Sequence, residues 1–349
     1  MNVKALLVLL LLAPPALAQG FAGLGTDAEG FAIPERGRAL DFPRDHGAHP
    51  DYRIEWWYLT ATLQGADGRD YGAQWTLFRS AVAPGEADGW DSPQVWMGHA
   101  GLTTPEQHFS AERFARGGIG QAGVQVDPFT AWIDDWHMTS TARAGADAYS
   151  ALHIAATGPN FSYDLNMRAE GPLVLHGDNG YSVKSAAGQA SYYYSQPFYT
   201  VEGTLNLPDG PVAVTGQAWL DREWSSQPLA SDQTGWDWFS IVLQDGHRLM
   251  GFQLRGDQTF TAGTWITPQG EATALPDGAL SFTPQGTAQV AGRDVPVRWR
   301  IDWPEQGLAL QTEPINPQAW MDLTVSYWEG PIRVTGSHDG RGYLEMTGY

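Results

Sequence analysis

A tryptophan-rich strand, a tight turn and a return strand ending in arginine occur twice in this chain, and that recurrence limits the folds open to it. The first copy runs Glu55-Trp56-Trp57-Tyr58-Leu59-Thr60-Ala61-Thr62-Leu63-Gln64, turns at Asp67-Gly68 and returns through Gln74-Trp75-Thr76-Leu77-Phe78-Arg79. The second runs Gly235-Trp236-Asp237-Trp238-Phe239-Ser240-Ile241-Val242-Leu243-Gln244, turns at Asp245-Gly246 and returns through Gly251-Phe252-Gln253-Leu254-Arg255. The far ends echo each other as well. Ser191-Tyr192-Tyr193-Tyr194 answers Ser326-Tyr327-Trp328, and Trp219-Leu220-Asp221 lies over Tyr343-Leu344-Glu345. Internal similarity of this kind implies two copies of one structural unit, with a seam near residues 225–234.

The unit is built from strands. Helical periodicity is scarce, and 41 glycines with 23 prolines cut the chain into short runs that alternate polar with β-branched or aromatic residues, the pattern of antiparallel strands. Strands are expected over 57–64, 71–79, 151–156, 198–205, 212–219, 239–244, 249–255, 297–301 and 323–327. Asp67-Gly68, Asp209-Gly210 and Asp245-Gly246 read as hairpin turns. Only residues 110–116 look like a short helical turn. Each copy has the size of a closed or sandwiched antiparallel sheet, the forms that best conceal strand edges. A small closed barrel can hold one ligand, whereas two solid sandwiches would hold none.

The N-terminus carries Lys4, then an apolar run of Leu, Val and Ala, then Ala16-Leu17-Ala18. These are the parts of a secretory signal peptide, expected over residues 1–18 with cleavage after Ala18 and a periplasmic or secreted product. Residues 19–36 read as an unstructured leader, and the two units follow over 37–226 and 227–349. No cysteine is present, which excludes disulfides and a cysteine-linked lipid anchor, so stability must come from the core. No later segment is apolar enough to span a bilayer. A formal net charge of -19 disfavours nucleic acid and basic-patch docking on anionic lipid. Lys184 is the single lysine beyond Lys4.

Sixteen tryptophans and 13 tyrosines favour an aromatic-walled pocket for a flat or apolar ligand, although core packing accounts for many of them. Trp57, Tyr193, Trp236 and Trp238 are the candidates for that wall. In Trp219-Leu220-Asp221-Arg222-Glu223-Trp224, strand alternation puts Trp219, Asp221 and Glu223 on one face and Leu220 with Arg222 on the other. Two carboxyl groups on one face push one pKa upward and leave a proton for general acid catalysis, so Asp221 and Glu223 are the catalytic candidates. A strand-end salt bridge is the plainer use of the same residues. His46 and His49 sit in a Gly/Pro-containing loop and could act as bases or bind a ligand. No third partner at a recognised metal spacing accompanies them, so neither a metal nor a cofactor is expected. Glu55 is expected to pair with Lys184 or with an arginine at a barrel mouth. No nucleophile elbow, phosphate loop or dinucleotide fingerprint occurs.

Several separated motifs then point to a known family. Asp41-Phe42-Pro43-Arg44-Asp45-His46-Gly47-Ala48-His49-Pro50, Arg53-Ile54-Glu55-Trp56-Trp57-Tyr58, Tyr181-Ser182-Val183-Lys184, Ala190-Ser191-Tyr192-Tyr193-Tyr194-Ser195, residues 218–224 and Gly235-Trp236-Asp237-Trp238-Phe239-Ser240 resemble the AttH-like proteins, relatives of the carotenoid hydratases. The resemblance covers about residues 37–349. It implies an all-β fold of two tandem lipocalin-like (calycin) antiparallel barrels. The hydratases add water to a terminal isoprenoid double bond without a cofactor, an aspartate protonating the alkene beside aromatic residues. Asp221 is the matching position, with Trp219 standing where the hydratases have tyrosine. Many AttH-like proteins instead resemble exported partners of ABC transport systems, and related fungal folds act as cyclisation catalysts. The leading expectation is an exported protein that binds a lipid, isoprenoid or polyene-like ligand as an accessory to an ABC transporter. A carotenoid-hydratase-like hydro-lyase is the alternative.

Overall fold

A computed structural model describes residues 28–349. The expected signal peptide and the first part of the leader lie outside the described residues. The remainder of the leader carries no helix or strand but is fastened: the Glu35 N–H donates to Tyr192 Oη at 2.7 Å, Ala32 N to Asp51 O at 2.9 Å, and Arg36 pairs with Asp178 at 2.6 Å. Among the described residues, no helix is long and apolar enough to cross a membrane.

The alternating runs form two antiparallel sheets. The first is 13-stranded and draws its strands from Ile54–Gly65 through Gly210–Ser225; the second is 10-stranded and runs from Gly235–Leu243 to Gly340–Met346. The Trp-rich strand of each copy occupies the same place. Ile54–Gly65 lies between Asp70–Ala81 and Gly210–Ser225, while Gly235–Leu243 lies between Arg248–Arg255 and Gly340–Met346. The next strand outward is Ala190–Leu207 in one sheet and Tyr327–Gly336 in the other. The first sheet curls until Gln94–Thr103 and His108–Arg116 pack across its interior against Phe129–Ile133 and Ala151–Gly158. The architecture is all-β, two lipocalin-like units in tandem.

Two sequence expectations change. Residues 110–116 belong to the edge strand His108–Arg116 and are not helical. Ala111 and Ala115 are its buried pair, and a spacing of four suits one face of a strand as well as one face of a helix. Continuous pairing with Gln94–Thr103 decides the outcome. The strand expected over 323–327 begins only at Tyr327. Ser326 Oγ donates to Leu323 O at 2.8 Å and Leu323 N to Met321 O at 3.0 Å, which bends the backbone before it.

Alternation sorts the aromatic residues into three cores. Trp57, Trp75, Trp136 and Trp224 fill the first barrel, and Phe239, Trp299 and Trp328 fill the second. Tyr58, Tyr193, Trp219, Trp238, Phe252 and Tyr343 pack between the two sheets. Inside the first barrel, Glu55 stands directly opposite Arg79 and is also paired with Arg222, all three fully buried. His49 reaches Glu55 at 3.1 Å and Asp45 at 3.1 Å, stacks on Trp224 with centroids 4.0 Å apart, and Arg222 lies 3.8 Å over Trp57. Burial alone would raise the Glu55 pKa, but Arg79, Arg222 and His49 outweigh it and hold the carboxyl well below its ordinary value. Asp45 behaves alike: burial raises it, while His49, the Asp41 N–H and Arg38 bring it to about 2.

Both carboxyl groups therefore contribute stability above the ordinary carboxyl range, and that contribution is lost as pH falls toward about 2. Replacing Glu55 leaves two buried guanidinium groups without their anion. Glu55→Gln is expected to lower unfolding stability by about 3–5 kcal/mol, read as a reduced urea midpoint with an unchanged m-value. A midpoint equal to that of the parent would show that the cluster does not hold the barrel.

Candidate functional site

Between the two sheets lies a cavity of about 310 Å³. Its wall is the outward face of the strands whose inward face fills the barrels. Trp56 and Tyr58 line it while Trp57 points into the first barrel; Trp236 and Trp238 line it while Phe239 points into the second. Phe252, Leu254 and Leu229 add apolar wall, and the exposed Val95 and Phe114 mark its mouth. The polar lining comprises Asp221, Glu223, Lys184, Tyr193 and Glu345, among others.

Asp221 is buried and accepts three hydrogen bonds. Trp219 Nε1 donates to Oδ1 at 2.6 Å, the Ser195 hydroxyl donates to the same oxygen, and Tyr193 Oη donates to Oδ2 at 2.9 Å. The register explains the arrangement: Ser195 and Tyr58 are the cross-strand partners of Asp221, and Trp219 shares its face two residues away. Ser195 is held in turn by His176 Nε2 at 2.6 Å, whose Nδ1 meets Thr264 Oγ1 of the second sheet at 2.8 Å. Trp238 Nε1 donates to Tyr193 Oη at 3.0 Å, so both sheets position the carboxyl. Burial drives its pKa up, the three donors pull it down, and the Glu223 charge adds to the rise; the result is about 7. No arginine touches it among the described residues. Glu223 forms an ion pair with Lys184 at 2.8 Å and accepts from the Ser191 hydroxyl. The Lys184 ammonium stands 4.7 Å over the Tyr193 ring and 4.4 Å over Phe252.

Asp221, Glu223, Lys184, Tyr193, Trp236 and Trp238, expected from sequence, thus meet at one cavity. Trp219 serves it through its hydrogen bond to Asp221. Glu55, Trp57, His46 and His49 do not reach it. They lie on the opposite side of the first sheet, where Glu55 and His49 belong to the buried ion cluster. Trp57 Nε1 donates to His46 O at 2.9 Å, and His46 Nδ1 meets Tyr194 Oη at 2.7 Å. Glu55 is paired with Arg79 and Arg222, and Lys184 with Glu223. The odd-even step along a strand separates them: Glu55 and Trp57 share one face, Trp56 and Tyr58 the other.

Glu345, Tyr58, Ser195 and His176 were not among the expected site residues. For Glu345 a signal existed, because the repeat lays it over Asp221. His176 and Ser195 carry no comparable mark in the sequence.

The fold and this acid-bearing cavity define a class: tandem lipocalin-like proteins with a pocket between their two sheets. The AttH-like family model matches residues 33–349, and the chain belongs to that family. The crystal structure of an AttH protein, NE1406 of Nitrosomonas europaea, is 34% identical, superposes with a TM-score of 0.80 and is matched over 91% of this chain and 99% of that one. Kievitone hydratase of Nectria haematococca shares the fold at 15% identity, with a TM-score of 0.67 over 91% of this chain and 98% of its own. Among curated proteins, the dehydratase asqC of Emericella nidulans is 23% identical over 176 residues, 45% of this chain and 47% of the relative. The chain therefore matches about half the length of that protein.

A carboxyl group that stays protonated far above its ordinary range has a direct spectroscopic mark. In infrared difference titrations, a carboxylic-acid carbonyl band is expected to disappear as pH rises through about 7, and Asp221→Asn is expected to remove part of its amplitude. A band unchanged in the variant would show that Asp221 is ionised throughout.

Proposed function

We propose that this chain is a cofactor-independent hydro-lyase that adds water to, or removes it from, a carbon–carbon double bond of an apolar, isoprenoid- or polyene-like molecule. The observation that carries this reading is Asp221, a carboxyl without an ion-pair partner among the described residues that holds a proton near neutral pH at the wall of an aromatic cavity. Oδ1 accepts from both Ser195 and Trp219 whereas Oδ2 accepts from Tyr193 alone, so Oδ2, with the fewer donors, is the oxygen that bears the proton. Transfer of that proton to an alkene carbon generates a carbocation. The π-faces of Trp56, Tyr58, Trp236 and Trp238 suit such a charge, and their apolar surroundings limit stray solvent. Capture by water completes hydration; the reverse sequence is dehydration. Two named relatives support the reading, one a hydratase that shares the fold and one a dehydratase that shares part of the sequence. If the N-terminal segment acts as an export signal, the reaction takes place outside the cytoplasm.

The test is incubation of the purified protein with a panel of isoprenoid alkenes and tertiary isoprenoid alcohols in heavy-oxygen water, with products read by mass spectrometry. Addition of one labelled water to an alkene, or loss of one ordinary water from an alcohol, is expected, and Asp221→Asn is expected to slow the reaction by about 10²–10⁴-fold. A ligand held tightly yet returned unchanged across the panel would instead favour a carrier, such as an accessory to an ABC transporter.

A further inference from the structure

Internal duplication places a second carboxyl group where the first copy has Asp221. The cross-strand partner of Asp221 on the Trp-rich strand is Tyr58; that of Glu345 is Trp238. On the other side Asp221 faces Ser195, and Glu345 faces Glu329. The two units exchange support. Tyr58 of the first sheet donates to Glu329 of the second at 2.7 Å, while Trp238 of the second donates to Tyr193 of the first at 3.0 Å. Glu345 and Asp221 line the same cavity from the two different sheets.

The surroundings of Glu345 make it unlike a structural carboxylate. Glu329 is fully buried directly opposite it, and like charges directly opposite on neighbouring strands repel. Among the described residues neither forms an ion pair with an arginine or lysine, and the one lysine of the cavity is paired with Glu223. The groups that face Glu345 are Trp236 Nε1, which donates at 2.5 Å, the Tyr58 hydroxyl, Glu329, the Tyr327 hydroxyl and the more distant charge of Glu223. Two carboxyl groups so placed share one proton. Burial raises the Glu345 pKa, Trp236, Tyr58 and Glu329 oppose it, and the outcome is about 7. Burial and Glu345 raise Glu329 well above its ordinary range, whereas the Glu329 hydrogen bond lowers Glu345, so Glu329 is the member that keeps the shared proton. Glu345 is therefore available as a base.

We propose that Glu345 is the second catalytic residue of this cavity, the base that takes a proton from water during hydration and returns it to the leaving hydroxyl during dehydration. This assignment rests on the hydro-lyase reading and adds to it the group that handles the oxygen. In hydration, the Asp221 proton forms the new C–H bond with the alkene electron pair and leaves Asp221 ionised. A water oxygen lone pair then forms the C–O bond, and the O–H electrons return to oxygen as its proton passes to Glu345. The proton moves back from Glu345 to Asp221 through cavity water, so that no other reactant is consumed. In dehydration the acid and base exchange roles, which the similar proton affinities of the two groups allow. Apparent pKa values would belong to the coupled set rather than to single residues.

The experiment separates the carbon proton from the oxygen. Geraniol and its hydrate serve as probes, incubated with the full chain in deuterated, heavy-oxygen water. Deuterium entering the alkene carbon reports protonation, and labelled oxygen entering the alcohol reports water capture. Asp221→Asn is expected to lose both labels. Glu345→Gln is expected to retain deuterium entry within about threefold while losing oxygen entry by about 10²-fold or more, with the low-pH limb of the rate profile removed and partial recovery in Glu345→Asp. Glu329→Gln leaves Glu345 in place but puts a weaker amide donor where the carboxylic O–H stood, and is expected to shift that limb to higher pH without abolishing turnover, which covers a folding failure of the first variant. Equal loss of both labels in Glu345→Gln, or an unchanged oxygen rate, would overturn the assignment of Glu345 and leave the hydro-lyase reading intact. Absence of either label in the parent protein would overturn both.

Discussion

The ion pair between Glu55 and Arg222 decides which way the strand Gly210–Ser225 faces, and the cavity depends on that orientation. Arg222 turns into the first barrel to meet Glu55, lying over Trp57 and hydrogen-bonding to the Gly47 carbonyl. Its neighbours Asp221 and Glu223 must then face the second sheet. A one-residue slip would exchange the two faces, leaving a guanidinium in the cavity and two carboxyl groups in an aromatic core. A buried pair of this kind is weak evidence for net stability; its clearer consequence here is register.

Opposite electrostatic treatment of acids on the two faces follows. Inside the barrel, Glu55 and Asp45 are surrounded by Arg79, Arg222, Arg38 and His49 and stay ionised. Between the sheets, Asp221 and Glu329 are as fully removed from water, Glu345 is half-buried, and all three have hydroxyl and indole donors in place of cations. Hydrogen bonds from neutral donors offset only part of the desolvation of a carboxylate, so all three pKa values rise; Asp221 and Glu329 retain protons, and Glu345 is the acceptor beside Glu329. The single lysine of the site is already engaged by Glu223. The same residue type thus serves as structural anion on one face and as proton store on the other.

Much of the fold was legible because strand alternation and turn chemistry are local. The three hairpins at Asp67-Gly68, Asp209-Gly210 and Asp245-Gly246 join paired strands, and the duplicated Trp-rich strand occupies the same position in both sheets. Legibility failed where spacing fits two structures, as with Ala111 and Ala115, or where a loop bends through its own hydrogen bonds, as at Ser326. For the site, facing was legible for Trp219, Asp221 and Glu223, whose spacing of two needs no partner to interpret. The histidines misled because a Gly/Pro loop with two imidazoles looks accessible, whereas His46 is packed between Tyr149 and Phe42, and His49 between Trp224 and Glu55.

The sequence by itself determined the all-β character, the duplication, and the sorting of side chains to alternate faces of each strand, since each follows from residues near one another in the chain. It could not say which face of the Trp-rich strands would enclose a barrel and which a cavity, because both are apolar. Only packing of the two units against each other made that choice. It brought Tyr58 to Glu329, Trp238 to Tyr193 and His176 to Thr264, contacts between residues distant in sequence. Desolvation, the force that raises Asp221 and Glu345 to about 7, exists only once the second sheet has closed over the first.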